Sequence, residues 1–153
     1  MEKIGGENVH LLKRFIKTEQ IGEVILKRIN VERQDAPVYS DGAVEGELNL
    51  RFKGDPDYDQ FRESPRFKSW AHEYHLSSVR HNLLKWYPFE PDGSVLEVGA
   101  GCGAITGLLC ARLKKVIALE SSYRRASVTA QRHSNCSNPV SYTHLTLPTK
   151  RIV

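Results

Sequence analysis

The run Glu97-Val98-Gly99-Ala100-Gly101-Cys102-Gly103 puts one carboxylate and three alternate glycines into a single short segment. Glycines at those positions permit positive φ in a tight strand-to-helix turn. They also strip away side chains where a ligand would have to touch backbone. A second carboxylate, Glu120, closes the next apolar run. An acid at the tip of the second strand is placed to accept hydrogen bonds from ribose 2′- and 3′-hydroxyls, and its charge excludes a 2′-phosphate there. The glycines run GxGxG. That is neither the dinucleotide fingerprint GxGxxG nor the P-loop GxxxxGK[ST]. The chemistry these residue types support is the binding of a nucleoside-bearing cofactor.

Such residues must be positioned by a βαβ unit, and the flanking sequence supplies one. SVLEV (94–98) is a short apolar run with β-branched residues, as expected of a buried parallel strand. Ala104–Leu113 reads as a helix with Ile105, Leu108, Leu109 and Leu113 inward, and VIALE (116–120) as a second buried strand. Another helix is expected over Tyr123–His133. The helix that follows the glycines aims its free N–H groups and positive dipole end at the loop. Upstream, EPDG (90–93) has turn chemistry. Leu76, Val79, Leu83 and Trp86 predict an amphipathic helix over Tyr74–Tyr87, capped by Ser77 and closed by Pro88. Further upstream, Val9, Leu12 and Ile16 predict a helix over 9–17. Ile21, Val24, Ile25 and Ile29 predict a second over 19–29. Segments 30–46 and 53–66 are rich in Asp, Gly and Pro and read as loop, with one short strand or helix around Leu48–Phe52.

The block LEVGAGCGAITGLL…VIALE resembles class I S-adenosylmethionine-dependent methyltransferases. The resemblance implies a Rossmann-like α/β fold and S-adenosyl-L-methionine as cofactor. It implies that Gly99, Ala100, Gly101 and Gly103 let the backbone approach the methionine moiety. It places Glu97 under the loop near the cofactor's amino group, and Glu120 on the ribose hydroxyls. WAHEYHLSSVRHNLLKWYPF, with YSDG at 39–42, is similar to a bacterial group of these enzymes associated with glycosyltransferases and surface-polysaccharide synthesis. That narrower resemblance puts Tyr74 and His75 on a helix covering the cofactor cleft, and makes a sugar or small metabolite the expected methyl acceptor. The stretch VLEVGAGCGAIT also resembles ribosomal-RNA adenine methyltransferases. No general base is assigned: His72, His75 and His81 precede the motif, but histidines on an amphipathic helix are mostly surface residues. A non-catalytic nucleotide-binding module, such as a domain of a larger glycosyltransferase, is the rival reading. An NAD-dependent oxidoreductase is disfavoured by the glycine spacing.

Length and composition set the frame. The chain has 153 residues, 40% hydrophobic and 26% charged, with 11 glycines and 7 prolines in no fixed period. That suits about one soluble domain and excludes collagen-like and repeat architectures. No apolar run is long enough for a membrane span. The first residues lack the apolar core of a secretory signal, so cytoplasm is the expected location. Lys and Arg exceed Asp and Glu by 22 to 18, a net +4 with no dense basic stripe, so nucleic acid is not the expected partner. Cys102, Cys110 and Cys136 are an odd count without CxxC or CxxxxH spacing, which argues against a disulfide framework and a zinc site.

A class I methyltransferase sheet has seven strands, and the reading finds two of them. VSYTHLTLPTKRIV (140–153) shifts abruptly in composition, and Val140 through Thr149 match one reading of a transposon-end sequencing adapter. The organisation expected is therefore a helical arm and linker at 1–69, a partial cofactor-binding domain truncated after its second strand at 70–139, and an extraneous tail at 140–153. Such a fragment is expected to leave a sheet edge and face uncovered and to be inactive alone.

Overall fold

The computed structural model describes residues 16–29, 41–55, 69–136 and 140–144. Five strands form one sheet: β1 (Ile16–Ile21), β2 (Val24–Ile29), β3 (Ser94–Val98), β4 (Lys115–Leu119) and β5 (Val140–His144). Their spatial order is β1-β2-β5-β4-β3. β3, β4, β5 and β2 run parallel to their neighbours, and β1 closes the far edge antiparallel to β2. Parallel neighbours require crossover helices. The chain supplies α3 (Thr106–Arg112) between β3 and β4, and α4 (Tyr123–Arg132) between β4 and β5. Both pack on one face, where Leu109, Cys110, Ala126 and Ala130 meet Leu26, Val116 and Ala118. Alanines at 126 and 130 bring α4 close to the sheet. This is a Rossmann-like α/β arrangement.

Two further helices brace α4. Helix α1 (Ala43–Gly54) buries Leu48 and Phe52 with Val128 of α4, Leu76 and Cys102. Helix α2 (Trp70–Leu76) starts at Ser69, whose hydroxyl accepts the His72 N–H. It ends at Ser77, which in turn caps a 3₁₀ turn over Ser78–Leu83.

The sheet core falls where the sequence places it, and the N-terminal half does not. The helix expected over 19–29 is instead the β1–β2 hairpin, in register Ile21↔Val24 around Gly22-Glu23. Gly22 turns with φ 56°, and Ser134 lies so close to it that a Cβ would meet the Ser134 carbonyl oxygen at 2.3 Å. The arm is therefore a hairpin where described. Of the helix expected over 9–17, only residues 16 and 17 are described, and they belong to β1. The element expected around Leu48–Phe52 is the helix α1, which begins at Ala43 inside the presumed loop. The single helix expected over Tyr74–Tyr87 is α2 followed by the 3₁₀ turn, with Val79, Leu83 and Trp86 exposed. β3 is an edge strand, not a fully buried one: Leu96 and Val98 are 55% and 71% exposed. Residues 140–144, set aside as tail, form β5 between β2 and β4. Among the described residues no helix is long and apolar enough to cross a membrane.

Candidate functional site

The glycine loop lies at the carboxyl ends of β3 and β4, held by hydrogen bonds on both sides. The N–H groups of Gly99 and Ala100 both donate to the Leu119 carbonyl at the end of β4, at 2.8 and 3.0 Å. The Gly101 N–H donates to Glu120 Oε2 at 2.7 Å. Glu120 Oε1 accepts the Ser122 N–H at 2.8 Å and the Ser121 hydroxyl at 3.2 Å. A buried carboxylate taking several N–H and O–H bonds is well satisfied. Glu120 lines a cavity of about 250 Å³ together with Glu97, Gly99, Gly101, Tyr74 and His75, among others.

The loop carbonyls turn the other way, into α4. Thr129 Oγ1 donates to the Gly101 carbonyl at 2.8 Å, Arg132 Nη1 to that of Cys102 at 3.0 Å, and His133 Nε2 to that of Gly103 at 2.9 Å. His81 Nε2, from the 3₁₀ turn, donates to the Ala104 carbonyl at 2.8 Å. Thr129, Arg132 and His133 are spaced i, i+3, i+4, so they share one face of the helix and its end. Three consecutive carbonyls are thus bound from one surface.

Gly99, Gly101 and Gly103 all have φ between 60° and 78°, where L side chains are strained. Their surroundings differ. A Cβ at Gly99 or Gly101 would meet nothing within 4 Å, whereas one at Gly103 would lie 2.8 Å from His133 Nε2. The first two open space for a ligand; the third makes room for the clamp.

Glu97 accepts the Thr106 hydroxyl at 2.7 Å. Burial raises its pKa above the usual carboxylate value, partly opposed by that hydroxyl and by the charges of His133 and Arg80. The cavity wall also carries a charge cluster. His75 Nε2 donates to Asp41 Oδ2 at 2.7 Å. Arg125 donates to the same oxygen at 2.8 Å and to Glu45 Oε1 at 2.6 Å. Burial lowers the His75 pKa, although its bond to Asp41 and the Asp41 charge act in the opposite direction. His75 is therefore neutral at pH 7, with Nε2 carrying the proton. Burial disfavours the Arg125 charge, but the bond to Glu45 and the charges of Glu45 and Asp41 outweigh it and raise its pKa. Arg80 lies over the Tyr74 ring at 4.4 Å and lines the same cavity.

The six residues singled out in the sequence, Glu97, Gly99, Ala100, Gly101, Gly103 and Glu120, therefore stand together at one sheet edge. Gly103 faces the clamp and not the cavity lining. Tyr74 and His75 join the cavity; His72 bonds Ser69 and Glu47 away from it. Sequence reasoning missed Thr129, Arg132, His133, Arg125 and the Asp41–Glu45 pair. For the residues at 125–133 the signal was the polar spacing on an otherwise amphipathic helix; Asp41 lies within YSDG at 39–42. Among the described residues no group of His, Cys, Asp and Glu could hold a metal ion.

No family model matches the chain, and no curated protein matches it. Among solved structures it is similar to phosphoethanolamine N-methyltransferase 1 of Haemonchus contortus in complex with phosphoethanolamine and S-adenosylhomocysteine. That match has a TM-score of 0.45 and 21% identity over 71% of this chain. It is also similar to the DhpI-SAM-HEP complex, with a TM-score of 0.38 and 19% identity, again over 71% of this chain. The chain spans 24% and 45% of the lengths of those two proteins.

Proposed function

We propose that this chain carries the cofactor-binding part of an S-adenosylmethionine-dependent methyltransferase. One observation supports the reading most strongly. Glu120, at the tip of the second strand, holds the Gly101 N–H beside a cavity that Glu97 also lines. The cavity residues fit the group: at Gly99 and Gly101 the space a Cβ would fill is open, at the φ values only glycine adopts readily. Glu120 suits a pair of ribose hydroxyls. Glu97 and the rim cation Arg80 suit the ammonium and carboxylate ends of the methionine moiety. The bound cofactor would supply an electrophilic methyl group on its sulfonium. The protein's part is orientation and exclusion of water. The acceptor class is a small metabolite or a sugar hydroxyl.

Calorimetric titration with S-adenosylhomocysteine and, separately, with NAD tests the reading. One-site binding of S-adenosylhomocysteine is expected. Glu120→Ala should weaken it by about 1–3 kcal/mol, the range for hydrogen bonds to a charged group. Preference for NAD, or affinity unchanged in Glu120→Ala, would overturn it.

A further inference from the structure

The cofactor reading leaves one chemically active cluster unused, behind the glycine loop. Cys136 follows α4 and is only half buried; its backbone N–H donates to the His133 carbonyl at 2.9 Å. It packs against the core that contains Cys110, in the last turn of α3, and the two thiols act on each other electrostatically. The His133 side chain also acts on the Cys136 thiol, and the Cys136 backbone is tied to the same residue. His133 Nε2 is committed as a donor to Gly103, which leaves Nδ1 for Cys136. The ring fits only because two neighbours lack side chains. A Cβ at Gly103 would lie 2.8 Å from Nε2, and one at Gly107 would lie 2.9 Å from Cε1.

We propose that Cys110 and Cys136 are a peroxide-sensitive dithiol, with Cys136 the attacking sulfur, His133 the group that takes its proton, and Gly103 the point at which oxidation reaches the glycine loop. The Cys136 thiolate attacks a hydroperoxide; the O–O bond breaks, and the departing oxygen takes a proton to leave as water or alcohol. Cys136 is then a sulfenic acid. The Cys110 sulfur attacks the Cys136 sulfur, the S–S bond forms, the S–O bond breaks, and hydroxide leaves with the Cys110 proton as water. Two thiols are oxidised and one hydroperoxide is reduced. The electrostatics agree with this order. The Cys110 thiol, and the His133 ring with its charge, pull the Cys136 pKa down against its burial, while Cys110 is pushed up by the same pairing. Thiolate character and access decide which cysteine oxidises. Cys102 is the internal control: it is buried, and burial pushes its thiol up to about 12.

The full chain, reduced and then treated with hydrogen peroxide, tests this by mass spectrometry. Trypsin alone leaves Cys102 and Cys110 on one peptide, so chymotryptic cleavage at Leu108 and Leu109 is added. A Cys110–Cys136 linked pair that dithiothreitol releases is expected, with Cys102 unmodified. At neutral pH, iodoacetamide should label Cys136 at least about tenfold faster than Cys102, since thiolate fraction outweighs the lower intrinsic nucleophilicity of an acidic thiol. In Cys110→Ser, dimedone should trap a sulfenic acid at Cys136. Hydrogen exchange in the 99–107 segment should change on oxidation of the wild type and not of Cys136→Ser. Labelling of Cys136 no faster than Cys102, a disulfide dominated by Cys102 or by intermolecular pairs, or unchanged loop exchange would overturn the proposal. None of these readouts depends on what the cavity binds.

Discussion

At the scale of single residues, the three loop glycines share a backbone conformation and differ in what they protect. Alanine at Gly101 meets open space, so only the positive φ costs, about 1–2 kcal/mol. Alanine at Gly103 carries that cost and also drives His133 and Thr129 away. Urea unfolding should therefore rank Gly103→Ala clearly below Gly101→Ala, with Gly101→Val abolishing cofactor binding. Equal midpoints would mean that His133 does not pack as described. His75 gives a pH signature. Its folded pKa lies below its ordinary value of 6.5, because burial disfavours the charged ring. The stability it contributes is present above 6.5 and is lost as pH falls through the folded value, by at most about 1.4 kcal/mol per pH unit for one proton. Thermal melts at about pH 7.5 and about pH 5.5 should show that loss in wild type and a smaller one in His75→Gln. The glycines and both glutamates were legible in the sequence because their spacing is local. The His75–Asp41–Arg125–Glu45 cluster was not, because its members come from three elements and meet only in the fold.

Among the elements, α4 sets the site's precision. Its small residues seat it on the sheet, and its buried polar residues bind the loop carbonyls. Thr129→Val keeps the shape and removes the donor to Gly101, leaving a carbonyl without that partner. A loss of about 1–3 kcal/mol is expected, with faster amide exchange in the loop. Unfolding by urea and exchange of the 99–107 segment measure both. A variant as stable as wild type would show that the clamp contributes nothing. The strands at 94–98 and 116–120 and the helices around them were readable because a short apolar run or a 3.6-residue period has one solution there. The 19–29 segment had two. Ile21, Ile25 and Ile29 recur every four residues, which satisfies a helix face, whereas the turn after Ile21 lets a hairpin place Ile21 beside Val24 on one sheet face and Ile25 on the other. The hairpin prevails because Gly22 turns with positive φ and Val24 and Leu26 then reach the α4 side of the sheet, leaving Ile25 on the other.

For the whole molecule, the decisive feature is that, among the described residues, the crossover helices α3 and α4 pack on the same face of the sheet. Leu96, Ile117 and Ile25 lie in register across the strands on the opposite face, with Val98 beyond them. Among the described strands β5 sits between the β1–β2 hairpin and β4, while Val24 and Leu26 in the core and the Glu23 N–H on the Ser134 carbonyl also tie the hairpin to α4 and its end. Residues 140–144 also fall within the Val140–Thr149 run whose order matches one reading of a sequencing adapter, so the two accounts of this segment collide in a measurable way. A chain ending at residue 139 should lose the cooperative melt of the full chain, since domains are stable by only about 5–15 kcal/mol in total. Its β2 amides should exchange freely while those of β3 and β4 retain protection. An unchanged melting midpoint and protected β2 amides would show that the strand adds nothing to folding, as an extraneous tail would. A lost transition would mean that the hairpin reaches the cofactor-binding unit through β5, and that the segment acts as part of the fold whatever its origin.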